Sequence, residues 1–361
     1  MRKLLSVIVF AVVGISVMVI LINTVAEAQS QKTIKLIYSS MILESTVQVQ
    51  VDKWIMTELE KRSNGRVKFD KHYGGSLTSA MESLPALRSG AVDISNPPPA
   101  YYPEELPLGN MLCATRIPRD IKTLMDAQYK LLFHSGEVSK LLQEEAKRQN
   151  FIYLYPHNIN YIYLTKPPVR RLSDLKGLKF RSTGLYEPKQ KAKWGAISIN
   201  VLPAEWYEAL SRGSIDGISI PDSMAPVYKL HEVAKYVSFR DGCILATPFL
   251  INLNTWNKLP SDIRNMMEEM REEVRKYDLE LSLKEEKRLT DIFRSAGCQI
   301  VEVDPKEQEE VWNSWIEVTL DVWLPIMDKK GLGKEGRLVL NRWMELSTGN
   351  GLEFWQKKIS K

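Results

Sequence analysis

The chain has 361 residues, 44% hydrophobic and 26% charged, which suits a globular protein with room for two domains. Its formal net charge of +5 is dispersed, with no basic run interleaved with aromatics, so nucleic acid is not expected as a partner. Four histidines without ligand-like spacing, three widely spaced cysteines and no H-E-x-x-H, C-x-x-C, G-x-S-x-G or P-loop motif give no support to a metal, a cofactor or a nucleophilic enzyme.

The N-terminus opens with Arg2 and Lys3, runs apolar from Leu4 to Ile22, and reaches Ala26-Glu27-Ala28. That is the order of a secretory signal with an A-x-A cleavage site, so residues 1–28 are expected to be removed on export. The apolar run is long enough that an uncleaved anchor is the alternative. No cysteine lies near the site, which excludes a lipoprotein. Either way the rest of the chain is expected outside the cytoplasm, in the periplasm. There Cys113, Cys243 and Cys298 leave open either one disulfide or buried thiols.

From Thr33, "TIKLIYSS" alternates like a strand. "VQVQVDKWIMTELEKRSNG" places Val47, Val51, Trp54, Ile55 and Leu59 at helical spacing and stops at Gly65. "RVKFDKHYGG" is a second strand, "TSAMESLPALRSG" a helix kinked or broken at Pro85, and "AVDISNP" a third strand. Strand and helix alternate, which predicts an α/β domain with a parallel sheet. Its ligand is expected at the strand ends, Ser39–Met41, Tyr73–Ser76 and Ser95–Pro98.

A helical block from about Arg119 to Gln149 precedes two strands, "FIYLYPHN" and "YIYLTKPP". A second α/β unit follows. "LSDLKGLKFR" ends a strand at Arg181, "EPKQKAKWGA" is a helix, "ISINVLP" a strand, "PAEWYEALSRG" a helix and "SIDGISIP" a strand. "ATPFLINLNTWNKLP" reads as a return crossing. The segment from Pro260 to Gly297 reads as one very long helix with Ile263, Met266, Met267, Met270, Val274 and Tyr277 on its apolar face. "VEVDP" is a short strand, and the remainder is mainly helical.

"LSDLKGLKFRS", then "GA", then "AEWYEALSRGSIDG", together with "SGAVDI" at 89–94, resemble the DctP-type substrate-binding proteins of tripartite ATP-independent periplasmic (TRAP) transporters. The resemblance runs from about Thr33 to the end of the long helix. It implies an α/β, periplasmic-binding-protein-like clamp of two domains, joined by crossing strands and a long spanning helix. The expected division is 29–158 with about 247–285 for domain I, 159–246 with about 286–330 for domain II, and a helical tail over 331–361. It implies a non-enzymatic receptor that captures a small organic carboxylate and delivers it to membrane permease subunits. A ligand-sensing module or a receptor for an ATP-driven importer is the alternative, and an extracytoplasmic enzyme ranks below both.

In that family the arginine ending the "LKGLKFR" strand grips the ligand carboxylate, and here that position is Arg181. A guanidinium offers a planar fork that matches a carboxylate. The competing reading is a structural ion pair with Asp174 or Glu205. Tyr161, Asn158, Trp206, Asn96, Tyr73, Ser39 and Asp222 complete the candidate set, with core packing the competing role for Trp206 and Tyr207. Many family members carry a second arginine in the segment aligned with Asn158 to Tyr163, where this chain has none and Tyr161 takes its place. The first-domain loop "NPPPAYYP" is poor in charge. Such a cleft is expected to suit a monocarboxylate with an apolar or aromatic body better than a dicarboxylate or a sugar acid.

Overall fold

The computed structural model describes residues 33–114, 120–182, 186–202 and 205–359, with the side chains of 114, 158–160 and 239–244 left aside. The expected signal segment, Pro203 and the side chains of Asn158 and Cys243 therefore lie outside the described residues.

The strands, in chain order, are β1 (Ile34–Ser39), β2 (Val67–His72), β3 (Ile94–Ser95), β4 (Phe151–Tyr155), β5 (Asn158–Thr165), β6 (Lys179–Arg181), β7 (Ile197–Ile199), β8 (Gly217–Pro221), β9 (Tyr236–Ala246), β10 (Phe249–Asn252) and β11 (Gln299–Ile300). They form two sheets, β2-β1-β3-β10-β4 and β11-β9-β5-β8-β6-β7. Neither sheet is wholly parallel. In the first, β1 pairs parallel with β2 and β3, while β10 runs antiparallel to β3 and β4. In the second, β6 pairs parallel with β7 and β8, while β5 runs antiparallel to β8 and β9. The antiparallel members are the crossovers. The chain leaves the first sheet after β4, enters the second as β5, and returns from β9 into β10. A backbone hydrogen bond from Thr247 N to His157 O, 2.9 Å, ties the two crossovers together.

The helix Val47–Arg62 buries Val47, Val51, Ile55 and Leu59, as its spacing predicts. They join Leu36, Tyr38 and Ile94 in one core on the first sheet, and Met267 and Val274 close that core from the far end of the chain. The helix Ser83–Ser89 starts late, so that Pro85 falls in its first turn and breaks nothing. The long segment is two helices, Ser261–Glu269 and Arg271–Ser295, joined at Met270. The second one spans both halves, with Val274 in the first sheet's core and Leu289 and Phe293 in the second's. After β11 the chain turns helical. Val339, Leu340, Trp343, Met344, Leu352 and Trp355 from Gly333–Thr348 and Leu352–Ile359 pack with Leu124, Leu131 and Leu142, so the tail caps the first lobe.

Cys113 and Cys298 are buried free thiols in separate cores. No described helix is long and apolar enough to cross a membrane.

Candidate ligand-binding cleft

Strand β6 has only three residues, and each has a separate task. Side chains alternate along a strand, so Phe180 faces one way and Lys179 and Arg181 the other. Phe180 is fully buried with Tyr163, Val169 and Leu175. It lies over Gly217, its register partner on β8, where a Cβ would come within 2.5 Å of the Phe180 ring. Asp216 closes the same end of the strand, accepting from Lys179 N at 2.8 Å. Lys179 Nζ caps Gly213 O at 2.7 Å, at the C-terminus of the helix Trp206–Arg212. Arg181 is left beside that helix's first residue, with its guanidinium carbon 4.8 Å from the Trp206 ring centre. The "KFR" and "DG" pieces of the sequence are thus one scaffold that aims a single cation.

Arg181 is buried, with 7% of its surface exposed. Nη1 donates to Ser219 O at 3.0 Å, and Nε has no hydrogen-bond partner among the described residues. A carboxylate oxygen of Glu187 lies 3.9 Å from Nη1, beyond hydrogen-bond range. Asp174 and Glu205 play no part here. Asp174 accepts from the backbone of Arg170 and Arg171, and Glu205 faces Leu202 N.

Arg181 lines a cavity of about 610 Å³. Met41, Gly75, Ala80, Met81, Ala100, Tyr101, Pro103, Asn110 and Cys113 come to it from the first lobe. Tyr161, Tyr186, Glu187, Trp206, Pro221, Met224, Tyr228 and Leu245 come from the second, and Trp315 from the helix Pro305–Val318. The cavity sits beyond the C-terminal ends of β1, β3, β6 and β8, where open α/β sheets hold ligands. Trp206 is fixed by its indole N–H on Val201 O, 3.0 Å, and stands edge-to-face with Tyr228. Asn110 and Tyr186 meet across the cleft, the Tyr186 hydroxyl donating to Asn110 Oδ1 at 2.6 Å. Asn110 in turn donates to Pro99 O at 2.9 Å. Behind it, buried Glu145 accepts from Leu108 N and Gly109 N at 2.8 and 2.7 Å, and burial outweighs those bonds to raise its pKa to about 7.

Of the residues singled out from sequence, Arg181, Tyr161 and Trp206 line this cavity. Tyr207 does not; its hydroxyl faces Glu232. Ser39 is fully buried and shares a hydrogen bond with Thr78 Oγ1 at 2.7 Å. Asn96 is buried against Asp52 Oδ2 at 3.1 Å, and Tyr73 packs on Tyr38 with ring centres 5.8 Å apart. Asp222 accepts from Ser223 N at 2.6 Å, one residue beyond the lining Pro221. These four stay out of the lining: Ser39 and Asn96 bond buried partners, Tyr73 packs on an aromatic neighbour, and Asp222 accepts from the adjoining backbone. Sequence reasoning passed over Glu187, Tyr186, Asn110 and Trp315. Only Glu187 and Tyr186 carried a signal, as close followers of Arg181.

Two sheet-based lobes, joined by paired crossovers and a spanning helix and enclosing a cleft with one buried arginine, define a solute-binding receptor clamp. The sequence profile of the DctP family, described as bacterial extracellular solute-binding protein, family 7, matches residues 39–325. The chain belongs to that family.

Among curated relatives, a solute-binding protein of Albidiferax ferrireducens is 26% identical over 251 residues, covering 68% of this chain and 72% of its own. The C4-dicarboxylate-binding periplasmic protein DctP of Rhodobacter capsulatus is 26% identical over 260 residues, covering 70% and 75%. Among solved structures, a TRAP solute-binding protein from Rhodoferax ferrireducens with copurified benzoate superposes with a TM-score of 0.73 at 20% identity, over 91% of this chain and 100% of its own. A Bordetella pertussis extracytoplasmic receptor binding pyroglutamic acid gives 0.70 at 18% identity, over 86% and 99%. At those identities the likeness is one of fold.

Proposed function

We propose that the mature protein captures a small organic monocarboxylate between its lobes and delivers it to a TRAP-type membrane permease from the periplasmic side, after loss of the N-terminal signal. Its role is that of a receptor, with no chemical step. The observation that carries this is Arg181, a buried cation on the cavity wall whose Nε has no hydrogen-bond partner among the described residues. A buried donor left unmade is costly, and a carboxylate is the group that matches a guanidinium edge. The named ligands of related proteins, a C4-dicarboxylate, benzoate and pyroglutamic acid, are all carboxylic acids. Arg181 is the only lysine or arginine among the described residues lining the cavity, and Tyr101, Tyr161, Tyr186, Trp206, Tyr228 and Trp315 supply aromatic wall. One cation and much apolar surface favour one carboxylate on an apolar or aromatic body.

The test is a thermal-shift screen against a carboxylic-acid library, since a ligand bound only by the folded state raises the melting midpoint. Monocarboxylates should raise it, and Arg181→Ala should lose the shift, with affinity down by about 100-fold or more, while keeping a native circular-dichroism spectrum. An unchanged shift in Arg181→Ala, or a clear preference for succinate, would count against this reading.

A further inference from the structure

A ligand closes a clamp only as far as it binds the closed arrangement better than the open one. Arg181 belongs to the second lobe, so a carboxylate bound to it alone leaves that equilibrium where it was. A group on the first lobe must touch the same ligand, and Tyr101 is placed to do so.

Tyr101 ends the one-turn helix Pro99–Tyr101, which is held on both sides of it. Pro99 O accepts from Asn110 Nδ2 at 2.9 Å, and Ala100 packs on the junction core of Tyr161, Leu245 and Trp315. The Tyr102 hydroxyl is buried against Ser83 Oγ and Leu84 N, at 3.1 and 3.2 Å. Tyr101 is the exposed residue of this turn, at 37%, and lines from the first lobe the cavity that Arg181 lines from the second. Its hydroxyl makes no hydrogen bond among the described residues. Burial does most to raise its phenol pKa and Arg181 lowers it, so the group is a protonated donor at neutral pH within the field of the guanidinium.

A carboxylate has two oxygens and about four lone-pair sites. One guanidinium edge fills part of them, and an acceptor left unmade in a poorly solvated cleft is costly. We propose that Tyr101 is a positioning residue whose hydroxyl donates to the cargo carboxylate held at Arg181, so that the carboxylate bridges the lobes and its capture closes the clamp.

This deepens the carboxylate-capture reading and rests on it. It is tested by calorimetry and stopped-flow on the mature receptor with benzoate, 3-phenylpropanoate, 4-phenylbutanoate and octanoate, in wild type and in Tyr101→Phe. Phenylalanine keeps the ring on the wall and removes only the hydroxyl, so the ligand-free melt should stay native. Affinity for the acid that wild type binds most tightly should fall by about tenfold or more, as for a lost hydrogen bond to a charged group. The loss should lie in faster dissociation, with association within about twofold, because the bond forms as the lobes close. The compaction that this acid induces, read as the radius of gyration by X-ray scattering, should shrink in the variant. Equal affinity in the two proteins overturns the proposal and leaves Tyr101 as apolar wall. A loss confined to association, an unchanged compaction, or failure of all four acids to bind wild type overturns it too. If Arg181→Ala abolishes binding that Tyr101→Phe leaves intact, the capture reading stands and only the bridging role falls.

Discussion

Arg181 and His157 are both buried cationic side chains near the junction of the lobes, and they differ in how well they are matched. His157 sits in the first crossover with Nδ1 3.0 Å from Asp278 on the long helix and Nε2 3.2 Å from Asp52 on the helix Val47–Arg62, the second contact off the line of a hydrogen bond. The carboxylates are themselves supplied. Asp52 accepts from the Tyr38 hydroxyl at 2.5 Å and from Asn96, and Asp278 accepts from Ser282 at 3.1 Å. Burial pulls the imidazole pKa down, but the hydrogen bond to Asp278 and the nearby Asp52 carboxylate outweigh it and lift it to about 10. Among the described residues Arg181 has one carbonyl, one acid out of bonding range and no partner for Nε. Burial of a charge does not mark a binding site. An unfilled donor on a cavity wall does.

Three perturbations separate these two roles, beyond the Arg181 and Tyr101 variants. The largest effect should come from Asp52→Ala, which strips His157, Tyr38 and Asn96 of a shared acceptor. Breaking a buried ion pair from one side costs about 3–5 kcal/mol, so the urea midpoint should fall steeply. A change below about 1 kcal/mol would show that the cluster is dispensable.

Next is pH. A histidine whose folded pKa is raised stabilises fully below its unfolded value and loses that contribution as pH climbs through the folded one. Stability should therefore decline from about pH 6.5 toward pH 10, by a few kcal/mol, at roughly 1.4 kcal/mol for each pH unit between the unfolded and folded values. His157→Gln should flatten this slope, measured by urea unfolding across that range. An equal slope in both proteins would assign it to other groups.

The smallest effect belongs to Tyr186→Phe, which removes the hydrogen bond to Asn110 across the cleft. One such bond is worth about 1 kcal/mol, so ligand dissociation should quicken roughly fivefold with the melting point nearly unchanged. Stopped-flow displacement measures it, and an unaltered rate would mean that the contact does not hold the lobes together.

Much of the architecture was legible because it is local. The period of Val47, Val51, Ile55 and Leu59 announced a helix, and Gly213 marked the end of another. Arg181 was legible because Phe180, Asp216 and Gly217 form a recognisable scaffold around it. What escaped was decided by tertiary pairing. Ser39 and Asn96 are polar residues at strand ends, which reads as cleft-facing, but their bonds run to Thr78 and Asp52, distant in sequence. The break at Met270 carries no glycine or proline to betray it. The antiparallel β10 looks in sequence like any other buried strand. Trp315 lies in a helix that reads as tail, and only packing brings it to the cavity.

The central claim is that the cargo's carboxylate completes Arg181. It is tested most directly by a crystal structure of the mature protein with its tightest-binding carboxylate from the screen. The account predicts a carboxylate oxygen within hydrogen-bond distance of Arg181 Nε, with the Trp206 ring still against the guanidinium. A ligand seated elsewhere in the cleft, or one that leaves Arg181 Nε without a carboxylate oxygen, would contradict it.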